Sequence, residues 1–132
     1  MFNEEDGQSI DLDQMEKWLE NYFLDPLTSH FDQTQFRIDL YETDENWIVE
    51  ALLSDYTSCD IKVFAENKTL IISAVKLPQL SNQDLQKRVR IIKFPFLVID
   101  QKITATFQNG ILEIFISKKE KVVRKNRFIT LP

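Results

Sequence analysis

From residue 36 onward, apolar and polar side chains alternate with a period of two, and each run of that alternation closes on a polar turn. Phe36, Ile38 and Leu40 alternate against Arg37, Asp39 and Tyr41. After a polar stretch from Thr43 to Asn46, Trp47, Val49, Ala51 and Leu53 alternate against Ile48, Glu50 and Leu52. Ile61 and Val63 stand against Lys62 and Phe64, and Glu66 to Lys68 turns the chain into Leu70, Ile72 and Ala74. A linker from Lys76 to Lys87 leads to an apolar run around Val89 to Phe94, closed by Pro95. Short strands at this spacing predict an antiparallel β sandwich or barrel.

The last strand pair carries its own register. A two-residue turn at Asn109 and Gly110 sets Gln108 against Ile111, Phe107 against Leu112, Ala105 against Ile114 and Ile103 against Ile116. From Phe107 outward, the even-spaced pairs are apolar on both strands. The intervening pairs, Thr106 with Glu113 and Thr104 with Phe115, are mixed. A slip of one residue would turn polar side chains into the core, so the pattern selects one register. A type I′ turn needs positive φ at both central positions, which assigns Gly110 a structural role.

Before residue 36 the period is near 3.6. Met15, Trp18, Leu19, Tyr22 and Phe23 fall on one helical stripe, Asp13 and Glu16 resemble a capping box at its start, and Pro26 ends it. Residues 27–35 show no period and read as a linker. An isolated helix of this length is marginal in water, so Trp18, Leu19, Tyr22 and Phe23 need a surface: the chain's own sandwich, a sister subunit or a client.

Composition narrows the function classes. The 132 residues, 43% of them hydrophobic, suit one domain with a packed core. No stretch approaches the roughly 18 apolar residues of a membrane span, and MFNEEDGQSI lacks the basic and apolar start of a secretion signal. A soluble intracellular chain with no membrane partner is expected. Cys59 is the only cysteine, which excludes an internal disulfide. Lys118 to Arg127 carries six basic side chains against Glu120 alone, so the rest of the chain is more acidic than the net charge of −5. That acidic body and the lack of interleaved aromatics argue against nucleic acid.

Enzyme chemistry finds no constellation. His30, the only histidine, sits in the linker and reads as a surface residue; Cys59, before a strand, reads as a half-buried structural thiol. Asp11, Asp13 and Glu16 suit a helix N-terminus, while Asp39 and Glu50 suit surface pairing with Arg37 or Lys62. With only Gly7 and Gly110 present, no glycine-rich phosphate loop can be written. Neither a catalytic residue nor a cofactor or metal ligand is assigned.

The stretch ATFQNGIL, residues 105–112, resembles the A-x-x-x-N-G-x-L signature of the small heat-shock proteins, the alpha-crystallin domain family, through Ala105, Asn109, Gly110 and Leu112. FRIDLYETDENWIVEALL is similar to that family's opening strand pair, DIKVFAENKTLIIS to its next two strands and IIKFPFLV to its I-x-L-P-like segment. RFITLP matches its short C-terminal anchor, with Ile129 and Leu131 as the two apolar positions. The resemblance implies an all-β, immunoglobulin-like sandwich of seven or eight strands over residues 36–118. A helical arm at 1–35 precedes it, and a basic linker with the anchor follows at 119–132.

The function that the resemblance implies is a holdase that acts without ATP, self-assembles and binds partly unfolded proteins. Its anchor, Ile129 and Leu131, would fill a neighbour's groove walled by Ile61, Val63, Ile103 and Ala105, and Pro132 would stop further pairing. Trp18, Leu19, Tyr22 and Phe23 would meet a client or subunit. Three departures are plain: Ser54 and Asp55 follow Leu53 in place of an L-P-G turn, Ser117 stands where a proline is usual, and the connection from Lys76 to Lys87 is short for strand exchange. Edge pairing through Arg88 to Phe94, or assembly through the tail alone, then competes as the dimer mode. The compact connection and short arm also resemble the spore-associated branch, which implies a structural protein of a spore layer as the alternative. A monomeric co-chaperone of the related CS-domain sandwich would lack a working anchor.

Overall fold

The structure, a computed structural model, describes residues 12–76, 86–122 and 127–131. Strands β1 (Ile38–Glu42), β2 (Asn46–Leu52), β3 (Ile61–Glu66) and β4 (Thr69–Lys76) are followed by β5 (Gln86–Lys93), β6 (Gln101–Gln108), β7 (Ile111–Lys121) and β8 (Arg127–Ile129). They form two antiparallel sheets, ordered β1-β2-β7-β6 and β5-β4-β3-β8. The inward positions of both sheets close one core in which Val49, Leu70, Ile72, Leu112, Ile114 and Ile116 are at most 1% exposed. Each such side chain contributes about 1.5–3 kcal/mol of transfer free energy. The fold is the sandwich that the alternation predicts.

The β6–β7 hairpin has the predicted register, with Phe107 opposite Leu112, Ala105 opposite Ile114 and Ile103 opposite Ile116. Asn109 and Gly110 have φ of 53° and 77°, as a type I′ turn demands. Packing adds a second constraint: a Cβ on Gly110 would lie 2.7 Å from the Cα of Ser54. The turn after β2 therefore presses on the hairpin, and the Leu53 N–H donates to the Gly110 carbonyl at 2.7 Å. At the far end of β6 the register shifts between Gln101 and Ile103. The buried Gln101 amide donates to the Ser117 carbonyl there at 2.7 Å.

Several expectations are corrected. Helix α1 spans Leu12–Leu24, so Asp13 lies inside its first turn rather than at the cap. Residues 27–35 are not a linker, because α2 spans Pro26–Thr34. Asp25 is its N-cap, accepting from the Leu27 N–H at 2.9 Å, and Pro26 starts the helix instead of merely ending the first. Helix α2 buries no residue, which is why it has no apolar period. Strand β7 runs on to Lys121, so the basic run begins as a strand. Phe36 is buried but precedes β1. Cys59 is exposed in a 3-10 turn, not half-buried. Residues 1–11, 77–85, 123–126 and Pro132 lie outside the described residues, as does the Phe23 side chain.

Candidate functional site: a seated tail and a latched arm

Alternation in the tail sends Ile129 and Leu131 to one side and Phe128 and Thr130 to the other. Strand β8 adds antiparallel to β3, with Val63 opposite Ile129, Phe64 opposite Phe128 and Ala65 opposite Arg127. Ile129 is 8% exposed and belongs to the same buried cluster as Ile61, Val63, Ile103 and Ala105; Leu131 packs against that cluster half-buried. Of the expected groove residues, Val63 is the pairing partner of Ile129, and the contact is within one chain: the tail sits on its own β3. Thr130 is exposed, and Phe128 lies on the outer face with its ring 4.8 Å from that of Phe64.

The other end of the same sheet carries the arm. Met15 of α1 is buried, and Trp18 stacks on Phe94 at 4.8 Å between ring centroids. The Trp18 indole N–H donates to the Lys93 carbonyl at 2.7 Å. Gln35 accepts from the Val89 N–H at 3.1 Å through its side chain, while its carbonyl accepts from Arg88. Two positions on the edge of β5 are therefore already occupied by the arm, and edge pairing along Arg88 to Phe94 would require it to move. Trp18, Leu19 and Tyr22 are half-buried, so the chain's own sandwich takes up much of the stripe expected to meet a client. Leu24, Leu27 and Phe31 of the arm stay exposed, at 75%, 58% and 41%.

Between arm and strand lies a cleft of about 560 Å³, lined by Trp18, Tyr22, Leu27, Phe31, Arg90 and Ile91 among others. Arg90 organises it. Its side chain is 3% exposed and donates to Asp32 at 2.6 Å, to the Phe36 carbonyl at 2.7 Å and to the Tyr22 hydroxyl at 3.0 Å. The guanidinium also sits 5.7 Å from the Phe31 ring centroid. A buried cation is tolerated only with such partners, so Arg90 locks both helices to β5. Burial pushes the Tyr22 phenol above its ordinary pKa, against the opposing pull of the Arg90 guanidinium. Arg90, Asp32 and Gln35 carry this latch and were not singled out from the sequence. Arg90 hides within an apolar run whose inward face is revealed only by its pairing with Ile72.

Among the described residues, no group of three His, Cys, Asp or Glu side chains is placed to hold a metal ion. His30 is exposed on α2. Asp39 pairs with Arg37 at 3.2 Å, while Glu50 receives the Tyr41 hydroxyl at 3.4 Å and faces Asp39 and Glu113 rather than Lys62. No described helix is long and apolar enough to cross a membrane. The arrangement offers apolar grooves and strand edges, which is the equipment of a protein-binding module.

No protein-family model matches the chain. It is 30% identical over 109 residues to spore coat protein M of Bacillus subtilis, covering 83% of this chain and 77% of that protein. Small heat shock protein C2 of Rickettsia felis is 33% identical over 94 residues, 64% of this chain and 61% of that one. Among solved structures, the Del-C4 mutant of hsp14.1 from Sulfolobus solfatataricus P2 superposes with a TM-score of 0.56 at 24% identity, over 82% of this chain and 99% of that chain. That likeness is one of fold. Signature hairpin, sandwich order and relatives agree: the chain belongs to the small heat-shock protein, or alpha-crystallin domain, family, and its similarity to spore coat protein M fits the spore-associated branch.

Proposed function

We propose that the chain is a holdase that works without ATP, binds partly unfolded proteins and assembles through its tail. The observation that supports this reading is the pairing of β8 with β3, which buries Ile129 and packs Leu131 half-buried against the core. Burying the two side chains supplies roughly 3–6 kcal/mol before ordering costs, an attachment weak enough to exchange. Because β3 accepts the chain's own tail, it accepts an identical tail from a neighbour, and the exchange is a swap of equivalent contacts. The own tail competes at an effective concentration of order mM, so tail-linked assembly is favoured as protein concentration rises.

Clients in this reading are met by the arm. Trp18 and Tyr22 hold it against β5, and it leaves Leu24, Leu27 and Phe31 exposed, the last two in the wall of the cleft beside β5. Light scattering of a heat-denatured client tests the proposal: near-stoichiometric protein should suppress aggregation. A truncation lacking residues 1–30 should keep its β circular dichroism and lose that protection. Unchanged protection would remove the arm from client binding.

A second reading, a structural protein of a spore layer, is favoured by the 30% identity to spore coat protein M. It predicts little suppression in the same assay, and retention of the protein in the insoluble layer of spores.

A further inference from the structure

We infer that the outer faces of the two sheets are complementary docking surfaces, and that the occupant of each is the other face of a second copy of this chain. The first observation is a row of apolar side chains crossing the whole β5-β4-β3-β8 sheet at one register: Ile91 opposite Ile71, Ile71 opposite Phe64, Phe64 opposite Phe128. This is the outward face, since Val63, Ile72 and Ile92 point into the core. Ile91 is 56% and Phe128 63% exposed. An apolar band spanning four strands, half-buried at Ile71 and Phe64 and exposed at both ends, is more than the scattered apolar residues of an ordinary surface.

The second observation is that the other sheet has a matching band. On its outward face Tyr41, Ile48 and Phe115 are cross-strand partners, and Tyr41 is 49% exposed. Charge then decides how the faces meet. Beside this band, Asp39, Glu50 and Glu113 stand directly opposite one another across three strands, a placement that destabilises the sheet unless cations approach from outside. Arg37 reaches Asp39 alone, and Lys102 on this sheet is tied to Glu120. Flanking the first band are Lys62, Lys87 and Lys93, with Glu66 as the acidic exception. Either face stacked on its own copy opposes like charges. The acidic face of one copy on the basic face of the next pairs unlike ones.

The stack is therefore head-to-tail, and a head-to-tail contact closes into rings or continues as fibres. Its spacing would be the roughly 10 Å of packed sheets. The tail is coupled to it, because Phe128 completes the apolar band only when β8 is seated on β3. The inference is independent of client binding.

Sizing the full chain by multi-angle light scattering tests it. The wild type should form assemblies whose mean mass falls as salt rises from about 0.05 to 0.5 M, since exposed charge pairs are screened. Glu50→Lys with Glu113→Lys makes both faces basic, and Lys62→Glu with Lys93→Glu makes both acidic. Each double variant alone should lose at least tenfold in association constant. An equimolar mixture should recover the wild-type mass, because every contact in it again joins unlike faces. Glu50→Gln with Glu113→Gln provides a milder pair that should weaken the salt dependence. A wild type that stays monomeric, double variants of unchanged mass, or a mixture that behaves as the separate variants do would each overturn the inference. All these variants keep Ile129 and Leu131, so assembly through the tail alone appears as unchanged mass.

Discussion

Gly110 shows how much one position can carry. Its φ of +77° is a conformation that L side chains resist, and Ser54 backbone fills the space a Cβ would need. Gly110→Ala should therefore cost at least about 2 kcal/mol, read as a lower urea midpoint with an unchanged slope. The φ requirement was legible from the Asn-Gly pair; the approach of Ser54 was not, because residues 54 and 110 meet only across the folded sheet. Tyr22 makes a different prediction. Its folded pKa is raised, so the folded state holds the phenolic proton more tightly than the unfolded chain. That contribution is complete below about pH 10, the unfolded value, and is lost as pH rises through the folded value. Tyr41, raised by the Glu50 carboxylate beside it, adds to the same trend. Urea midpoints should fall above pH 10, and Tyr22→Phe should flatten that fall, while a parallel profile would assign the slope to other groups.

At the scale of elements, the arm is held by polar contacts that its hydrophobic pattern does not disclose. The stripe of Met15, Trp18 and Tyr22 was legible, but Arg90 and Asp32, 58 residues apart, become partners only when α2 lies across β5. Asp32→Ala leaves a buried guanidinium with only the Phe36 carbonyl and Tyr22 hydroxyl. The expected cost is about 1.5–3 kcal/mol in global or local stability. Hydrogen exchange separates the two: faster exchange confined to residues 12–37 would mean that the arm alone opens, and an unaltered pattern would remove the latch. Helix α2 was missed although Asp25 and Pro26 carried the cap-and-proline signal, because no apolar stripe supported it.

For the whole molecule, the deciding relation is that one β5-β4-β3-β8 sheet serves the arm at one edge and the tail at the other. The double change Ile129→Asp and Leu131→Asp places carboxylates against a core cluster, so β8 should leave β3. Native mass should then lose the tail-linked fraction, most visibly at high protein concentration, and Phe64 should become more exposed. An unchanged mass at every concentration would exclude tail exchange. Lys118, bound to Glu42 at 2.6 Å and lying over Trp47, closes the opposite sheet independently and should be unaffected.

The sequence by itself determined the strands, the hairpin register and the inward positions, because a period of two and a two-residue turn are local rules that each pair of strands must obey. It also determined the chemistry of the tail, two apolar knobs on one side of an extended segment. Only the tertiary structure decided where that tail sits, which strand edge the arm covers and that Ile91, Ile71, Phe64 and Phe128 fall in one row. These are relations between segments far apart along the chain. Sheet order sets them, and no local pattern of polar and apolar residues encodes sheet order.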